Sequence, residues 1–294
     1  VSRAVTKAAL AILGRGVVDI AAPALRADDL GIQRGDGVFE TARVCGGRIF
    51  KLGLHLERLA RSASALGIDA PPAAEWRALA AQAVGASGAG DGLVKLVCTR
   101  GPMSGGPPTA FALAMPLPEE AVRAREHGLD VVTLTLGVSA AVRAEAPWLL
   151  GGAKTLSYAV NMASLREAES RGAHDAIWLA LDGEVLEAPT STVCWVAGGA
   201  LRTPPATTGI LAGTTLAVVR ALAPPLTFEV VAGTIDDLRN ADEVFLASSV
   251  RGVAGVRTLD GVPVGAGTLG PQTIRLRDAF EDVVAGRLDV PGIG

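Results

Sequence analysis

A primary amine that bonds covalently to a carbonyl carbon must come from one of four lysines, Lys7, Lys51, Lys95 or Lys154, among 27 basic side chains. Lys7 lies near the start of the sequence, Lys51 beside a hairpin, and Lys95 within an alternating strand where solvent could equally take it. Lys154 sits in "GGAKTLSYAVNM", residues 151–162, a glycine-rich approach to a predicted helix. The positive end of a helix dipole and partial burial both disfavour an ammonium there and leave the amine more available as a nucleophile. An exposed loop lysine would carry the same local sequence, so the choice rests on the remaining residues.

Other chemistries lack their parts. His55, His127 and His174 have no paired spacing and no cysteine pair nearby, so no metal site is predicted. No G-x-S-x-G elbow and no G-x-x-x-x-G-K-[ST] occurs, and the glycines of "GASGAGDG" follow a helix rather than a strand, which argues against a dinucleotide fold. Cys45, Cys98 and Cys194 are odd in number, far apart and set in apolar surroundings; they read as buried thiols of a reducing, cytoplasmic compartment. A net charge of −3 without a basic tract gives no footprint for nucleic acid or an anionic membrane, which leaves a small-molecule substrate. The hydrophobic fraction is 49%, yet charges and turn residues interrupt every apolar stretch short of the roughly 18 residues of a spanning helix.

The elements that must position Lys154 can be read from periodicity. The opening "VSRAVTKAALAILGRGVVDI" is expected to form a strand pair rather than a signal peptide, and "GVFETARV" with "GRIFKL" a hairpin turning at Gly46 and Gly47. Leu52, Leu56, Leu59, Ala63 and Leu66 mark one face of a helix that Gly67 closes, followed by a helix at "EWRALAAQAV" and strands at "LVKLVCTRG" and "PTAFALAMPLP". These make a small α+β domain over residues 1–118. The proline- and charge-rich "MPLPEEAVRAREHG" has no strand period and places a crossing near residue 120; residues 125–294 form the larger domain, which carries Lys154. In it, "LDVVTLTL" precedes the lysine, a helix follows it as far as Gly172, hairpins turn at Asp182–Gly183 and Gly198–Gly199, a helix spans 213–223, and "EVFLASS" and a terminal helix complete the order.

Six segments, "RGDGVFET", "HLERL", "TRG", "AKTLSY", "GEVLEAPTSTV" and "GILAGTT", occur in an order that resembles the fold-type IV pyridoxal-phosphate enzymes, a family that includes branched-chain and D-amino-acid aminotransferases and aminodeoxychorismate lyase. The resemblance covers nearly the whole length. It implies an α+β, two-domain fold similar to D-amino-acid aminotransferase, with a small N-terminal α/β sandwich lobe, a larger C-terminal pseudo-barrel lobe, and pyridoxal 5'-phosphate as cofactor. By the same resemblance Lys154 bonds the cofactor aldehyde and, once released by substrate, shuttles protons. Glu187 pairs with the pyridine nitrogen, Arg58 binds the phosphate, and Thr192, Thr214 and Thr215 complete the cofactor contacts, the last two at a helix start where they could equally be ordinary caps. Arg58 lies one step off the leucine face and is expected to point away from that core. Tyr158 falls about one residue out of register with the tyrosine some relatives place near the cofactor.

"RGDGVFETARV" and "AKTLSYAVNMASLREA" look most like the lyase branch, which implies conversion of 4-amino-4-deoxychorismate to 4-aminobenzoate and pyruvate for folate synthesis. An aminotransferase acting on branched-chain or D-amino acids through the same Lys154 and Glu187 is the alternative. Ala188 and Pro189 after the glutamate, and Leu216 after the threonines, depart from the pattern common among aminotransferases. A substrate with two carboxylates calls for arginines; Arg100 at a strand end is the first expectation, with Arg34 and Arg251 behind it. Trp148, just before the lysine loop, would wall the substrate pocket or simply pack. Likeness to the family also implies a homodimer.

Overall fold

The computed structural model describes residues 7–21, 25–88, 90–290 and 292–293. The chain divides into two compact units: one runs through Pro118 and includes Ala153–Tyr158, the other holds Glu119–Gly152 and Ala159–Ile293. The lysine segment, expected in the larger domain, therefore clusters with the smaller one. The second unit opens at Glu119 rather than 125, because the crossing segment is itself a helix.

In the first unit the order is β1 (Ala9–Ile12), β2 (Gly16–Val18), α1 (Leu30–Arg34), β3 (Gly37–Cys45), β4 (Arg48–Ile49), α2 (Leu52–Ala65), α3 (Ala73–Ala86), β5 (Gly92–Thr99) and β6 (Thr109–Pro116). The six strands form one antiparallel sheet, ordered β2-β1-β6-β5-β3-β4. Alternation sorts its residues: Val38, Ala42 and Val44 of β3 and Val94, Leu96 and Cys98 of β5 join Leu56, Leu59 and Ala63 of α2 and Trp76, Leu79 and Ala83 of α3 in one core. The leucine period read from the sequence is the face that α2 buries, and Leu66 and Gly67 end it, Gly67 with φ of 62°. Asp29, wholly buried, caps α1 through the Gly31 N–H and also accepts from the hydroxyls of Thr99 and Thr109, at 2.9 and 2.7 Å, which ties α1 to the ends of β5 and β6.

The second unit begins with α4 (Glu119–His127), whose Glu119 and Glu120 favour a helix start and whose Ala121 and Ala124 are buried. Then come β7 (Leu129–Thr135), α5 (Ala140–Glu145), α6 (Ala159–Ser170), β8 (Asp175–Leu179), β9 (Thr192–Ala197), β10 (Ala200–Thr203), α7 (Thr214–Leu222), β11 (Thr227–Val230), α8 (Ile235–Arg239), β12 (Glu243–Ser248), β13 (Gly252–Leu259), β14 (Val262–Pro263) and α9 (Pro271–Ala285). The main sheet runs β11-β10-β9-β12-β13-β7-β8, with β14 on β13. It is mixed: β10–β11, β13–β7 and β7–β8 pair in parallel and the rest antiparallel. Val193, Trp195, Val244, Leu246, Ala254 and Val256 face one way into its core. The expected Asp182–Gly183 hairpin is present, with Leu186 N–H donating to Trp178 O and Trp178 N–H to Glu187 O. Both sheets curl as half-barrels, and the architecture is α+β.

Cys98 and Cys194 are buried, and burial pushes both thiols up to about 12, which removes them as nucleophiles. Cys45, expected to be buried, is only partly so because it ends β3 at the hairpin turn. No helix among the described residues is long and apolar enough to cross a membrane.

Candidate active site

Lys154 is fixed by its backbone. The end of β3 at Gly37–Phe39 pairs with β5 on one edge, while β4 covers the other edge only at Val44 and Cys45. The lysine segment takes the open edge: Phe39 N–H donates to Lys154 O at 3.1 Å, Leu156 N–H to Gly37 O at 2.8 Å, and Val38 and Thr155 form a bridge. The Lys154 N–H donates to the hydroxyl of Ser62, a buried residue of α2, at 3.0 Å. Only glycine fits at position 37, since a Cβ there would meet Leu156 Cδ1 at 2.6 Å and Cys98 O at 2.7 Å. The amine is thereby held against aromatic rings, its Nζ 4.5 Å from the Phe39 centroid and 5.8 Å from that of Tyr158, which packs edge-on to Phe39 at 5.2 Å.

Two expectations change here. Helix α6 starts only at Ala159, beyond the single turn over which its dipole acts on Lys154, so strand pairing rather than a helix start positions the amine. Tyr158, of uncertain register in the sequence, belongs with Lys154.

Arg58 does not point away from the core. It is buried under α2, where Nε and Nη2 fork onto both oxygens of Glu40 at 2.6 and 2.8 Å, and His55 Nδ1 lies 2.7 Å from the same carboxylate. Glu40 shares the core-facing parity of Val38 and Ala42, so alternation delivers its carboxylate directly beneath α2. Burial by itself would raise the Glu40 pKa; the Arg58 fork and His55 outweigh it and hold the group down at about 2. Nothing in the sequence distinguished this glutamate except its place in "VFET".

Arg100 is spent on structure. Nε and Nη2 fork onto Asp36 at 2.6 and 3.2 Å, while Nη1 and Nη2 donate to the carbonyls of Gly67 and Leu66 at the end of α2. We expect Arg100→Met to lower stability by about 1–2 kcal/mol, allowing for its partial exposure, and to move KM less than threefold; denaturant unfolding and steady-state kinetics check both, and a tenfold rise in KM would restore the substrate role. Arg34 ends α1 with an exposed side chain.

In the second unit, Glu187 is held by Arg143 Nη2 at 2.7 Å and by the Leu211 N–H at 3.0 Å. The Arg143 guanidinium lies over the Trp178 ring, and its buried Nη1 has no hydrogen-bond partner among the described residues. Thr214 and Thr215 open α7, but the cap residue is Gly213, which supplies no side-chain acceptor, so the threonines are not themselves caps. A Cβ on Gly213 would lie 2.5 Å from Thr192 Oγ1, which brings Thr192, at the start of β9, to the first turn of α7. Thr214 Oγ1 also approaches Ser249 Oγ at 3.4 Å. Arg251, expected near substrate, instead neutralises the fully buried Asp175 at 2.5 Å and donates to Ser191 and Thr190. Trp148 is 80% exposed in the turn after α5, so within its own unit it walls nothing.

The first unit thus presents an amine locked to a sheet edge against aromatic rings, and the second unit holds a carboxylate fixed by an arginine. Residues 37–259 match the model of the amino-transferase class IV family, and the chain belongs to that family. It is 40% identical over 253 residues to the bifunctional aminodeoxychorismate lyase / D-amino acid transaminase of Mycobacterium tuberculosis, covering 81% of this chain and 87% of that one. It is 32% identical to the D-alanine aminotransferase of Bacillus licheniformis over 87% of this chain and 90% of the relative. Among solved structures, a hypothetical aminotransferase from M. tuberculosis in a PLP-bound form superposes with a TM-score of 0.89 at 36% identity, covering 96% of this chain and all of that one. The fold is thus fold-type IV, and the cofactor is pyridoxal 5'-phosphate. Each unit carries residue types that fit part of that group: in the first a primary amine beside aromatic rings, and in the second a carboxylate fixed by two donors and a helix start that no side chain caps.

Proposed function

We propose that this chain is a pyridoxal-phosphate-dependent lyase that converts 4-amino-4-deoxychorismate to 4-aminobenzoate and pyruvate. The observation that carries the chemistry is the placement of Lys154 Nζ over Phe39 by three backbone hydrogen bonds of its segment. Likeness to a relative named for the lyase activity, over four-fifths of this chain, supports the choice of reaction.

When bound, pyridoxal phosphate supplies an aldehyde for condensation with an amine and a ring that accepts electrons. Lys154 is the amine that holds it and, once released, the base: its Nζ removes the proton from the substrate carbon bearing nitrogen. The C–O bond to the enolpyruvyl group then breaks, the six-membered ring becomes aromatic, and enolpyruvate takes up a proton to become pyruvate. Glu187, oriented by Arg143 and the Leu211 N–H, would be the carboxylate that pairs with the protonated pyridine nitrogen. Arg58 supplies positive charge to the phosphate, and Thr192, Thr214 and Thr215 with the α7 start supply hydroxyl and N–H donors. A homodimer in the cytoplasm belongs to the same reading.

A transaminase of D- or branched-chain amino acids is the second reading, favoured by likeness to the D-alanine aminotransferase and by the second half of the M. tuberculosis relative's name. Incubation of purified holoenzyme with aminodeoxychorismate and no keto acid separates the two. We expect 4-aminobenzoate to accumulate over many turnovers; none formed, with amino-group exchange between D-alanine and 2-oxoglutarate instead, would replace the lyase by the transaminase.

A further inference from the structure

Lys95 has no role in the chemistry above, yet it shares a face with Lys154. On β3 and β5 the residues opposite the helix-covered core include Phe39 and Thr41, Lys95 and Val97, and the register sets Phe39 against Val97 and Thr41 against Lys95. Lys95 is therefore the diagonal neighbour of Phe39, and its Nζ lies 4.6 Å from the ring centroid. Lys154 approaches the same ring, at 4.5 Å, from the opposite edge of β3. Two amines thus flank one phenyl ring, on segments a strand spacing to either side of it.

Lys95 Nζ has neither a hydrogen bond nor an ion pair among the described residues, and its only contact of note is the phenyl ring. It is half-buried, and loss of water pushes its pKa below the ordinary lysine range with no charge nearby to oppose the shift. A ring face makes good only part of the hydration such a cation has lost. The arginines that the sequence offered for substrate carboxylates are tied elsewhere, Arg100 to Asp36 and Arg251 to Asp175. A partly dehydrated cation lacking its own anion is a site for one brought by a ligand.

We propose that Lys95 determines specificity by binding a substrate carboxylate that lies a ring's width from the reacting amine. The α-carboxylate of an amino acid shares its carbon with the amine and would stay beside Lys154. A carboxylate across a six-membered ring from the amine reaches the far side of Phe39, where Lys95 stands. This deepens the lyase reading and rests on Lys154 being the amine that meets substrate.

The test uses holoenzyme and two ligands that differ only in that group, 4-aminobenzoate and aniline, with binding measured by calorimetry. In Lys95→Met we expect 4-aminobenzoate to weaken by about 10- to 100-fold and aniline by less than twofold. KM for aminodeoxychorismate rises with little change in kcat, the absorption of the lysine-bound cofactor stays at the wild-type position, and Lys95→Arg recovers most of the affinity. Equal weakening of both ligands, no weakening of either, or a wild type that does not prefer 4-aminobenzoate overturns the assignment. Failure of the lyase reading shows differently, as a wild-type holoenzyme that leaves aminodeoxychorismate intact.

Discussion

Lys154→Ala removes turnover, lowering kcat by about 10⁴-fold or more, while the protein still folds. The two halves of that expectation have separate causes. Chemistry depends on Nζ, the amine that the fold presents to Phe39 and Tyr158. Structure depends on the Lys154 main chain, whose carbonyl accepts from Phe39 N–H and whose N–H donates to Ser62 Oγ, and alanine keeps both bonds. A thermal melt within a few degrees of wild type, together with loss of the absorption band of the lysine-bound cofactor, would establish the role. Added ethylamine should restore part of the rate, because the backbone leaves the amine's place intact. A variant that kept more than a hundredth of wild-type kcat would take the reaction away from this lysine.

Regular elements were legible because their signal is periodic and local. The leucine spacing of α2, the alternation of β3 and β5 and the Gly198–Gly199 turn each repeat a pattern within a few residues. Helix α4 was hidden by its prolines and charges, although its acidic first turn and buried alanines were in plain view. Strand β13 was hidden by Gly252 and Gly255; at Gly255 a Cβ would lie 2.5 Å from Leu269 Cδ2, so close packing took away the residue type that marks a strand.

The site was legible in part, through motifs, and its blind spot was partnership. Arg100 pairs with Asp36 and Arg251 with Asp175, over separations of 64 and 76 residues. No local pattern encodes such a choice, so each arginine read alone looked available for an anion. Lys95 is the converse case: a strand lysine that looked solvated stands half-buried on the face of Lys154 without a carboxylate. Charge on a folded surface is read from what it lacks as much as from what it is.

Glu40→Gln is expected to cost about 3–5 kcal/mol, the price of stranding a buried guanidinium. Glutamine keeps the shape of the side chain but removes the charge that Arg58 and His55 share, and none of the three is more than 5% exposed. The wild-type carboxyl titrates at about 2 in place of its ordinary 4.5 because the Arg58 fork and His55 overcome the opposing effect of burial. A folded-state pKa depressed in this way contributes stability above the unfolded value and loses it as acid protonates the folded group. Between pH 4.5 and 2 the protein should therefore shed about 3 kcal/mol through this one residue. Glu40→Gln should start lower at neutral pH and lack that part of the acid limb. The double substitution Glu40→Gln with Arg58→Met should be less destabilised than the single one, since the buried cation that Glu40 neutralised is gone. Denaturant unfolding from pH 2.5 to 7 measures all three proteins. A single variant within 1 kcal/mol of wild type, or one with an unaltered acid limb, would mean that water, and not Glu40, balances Arg58 beneath α2.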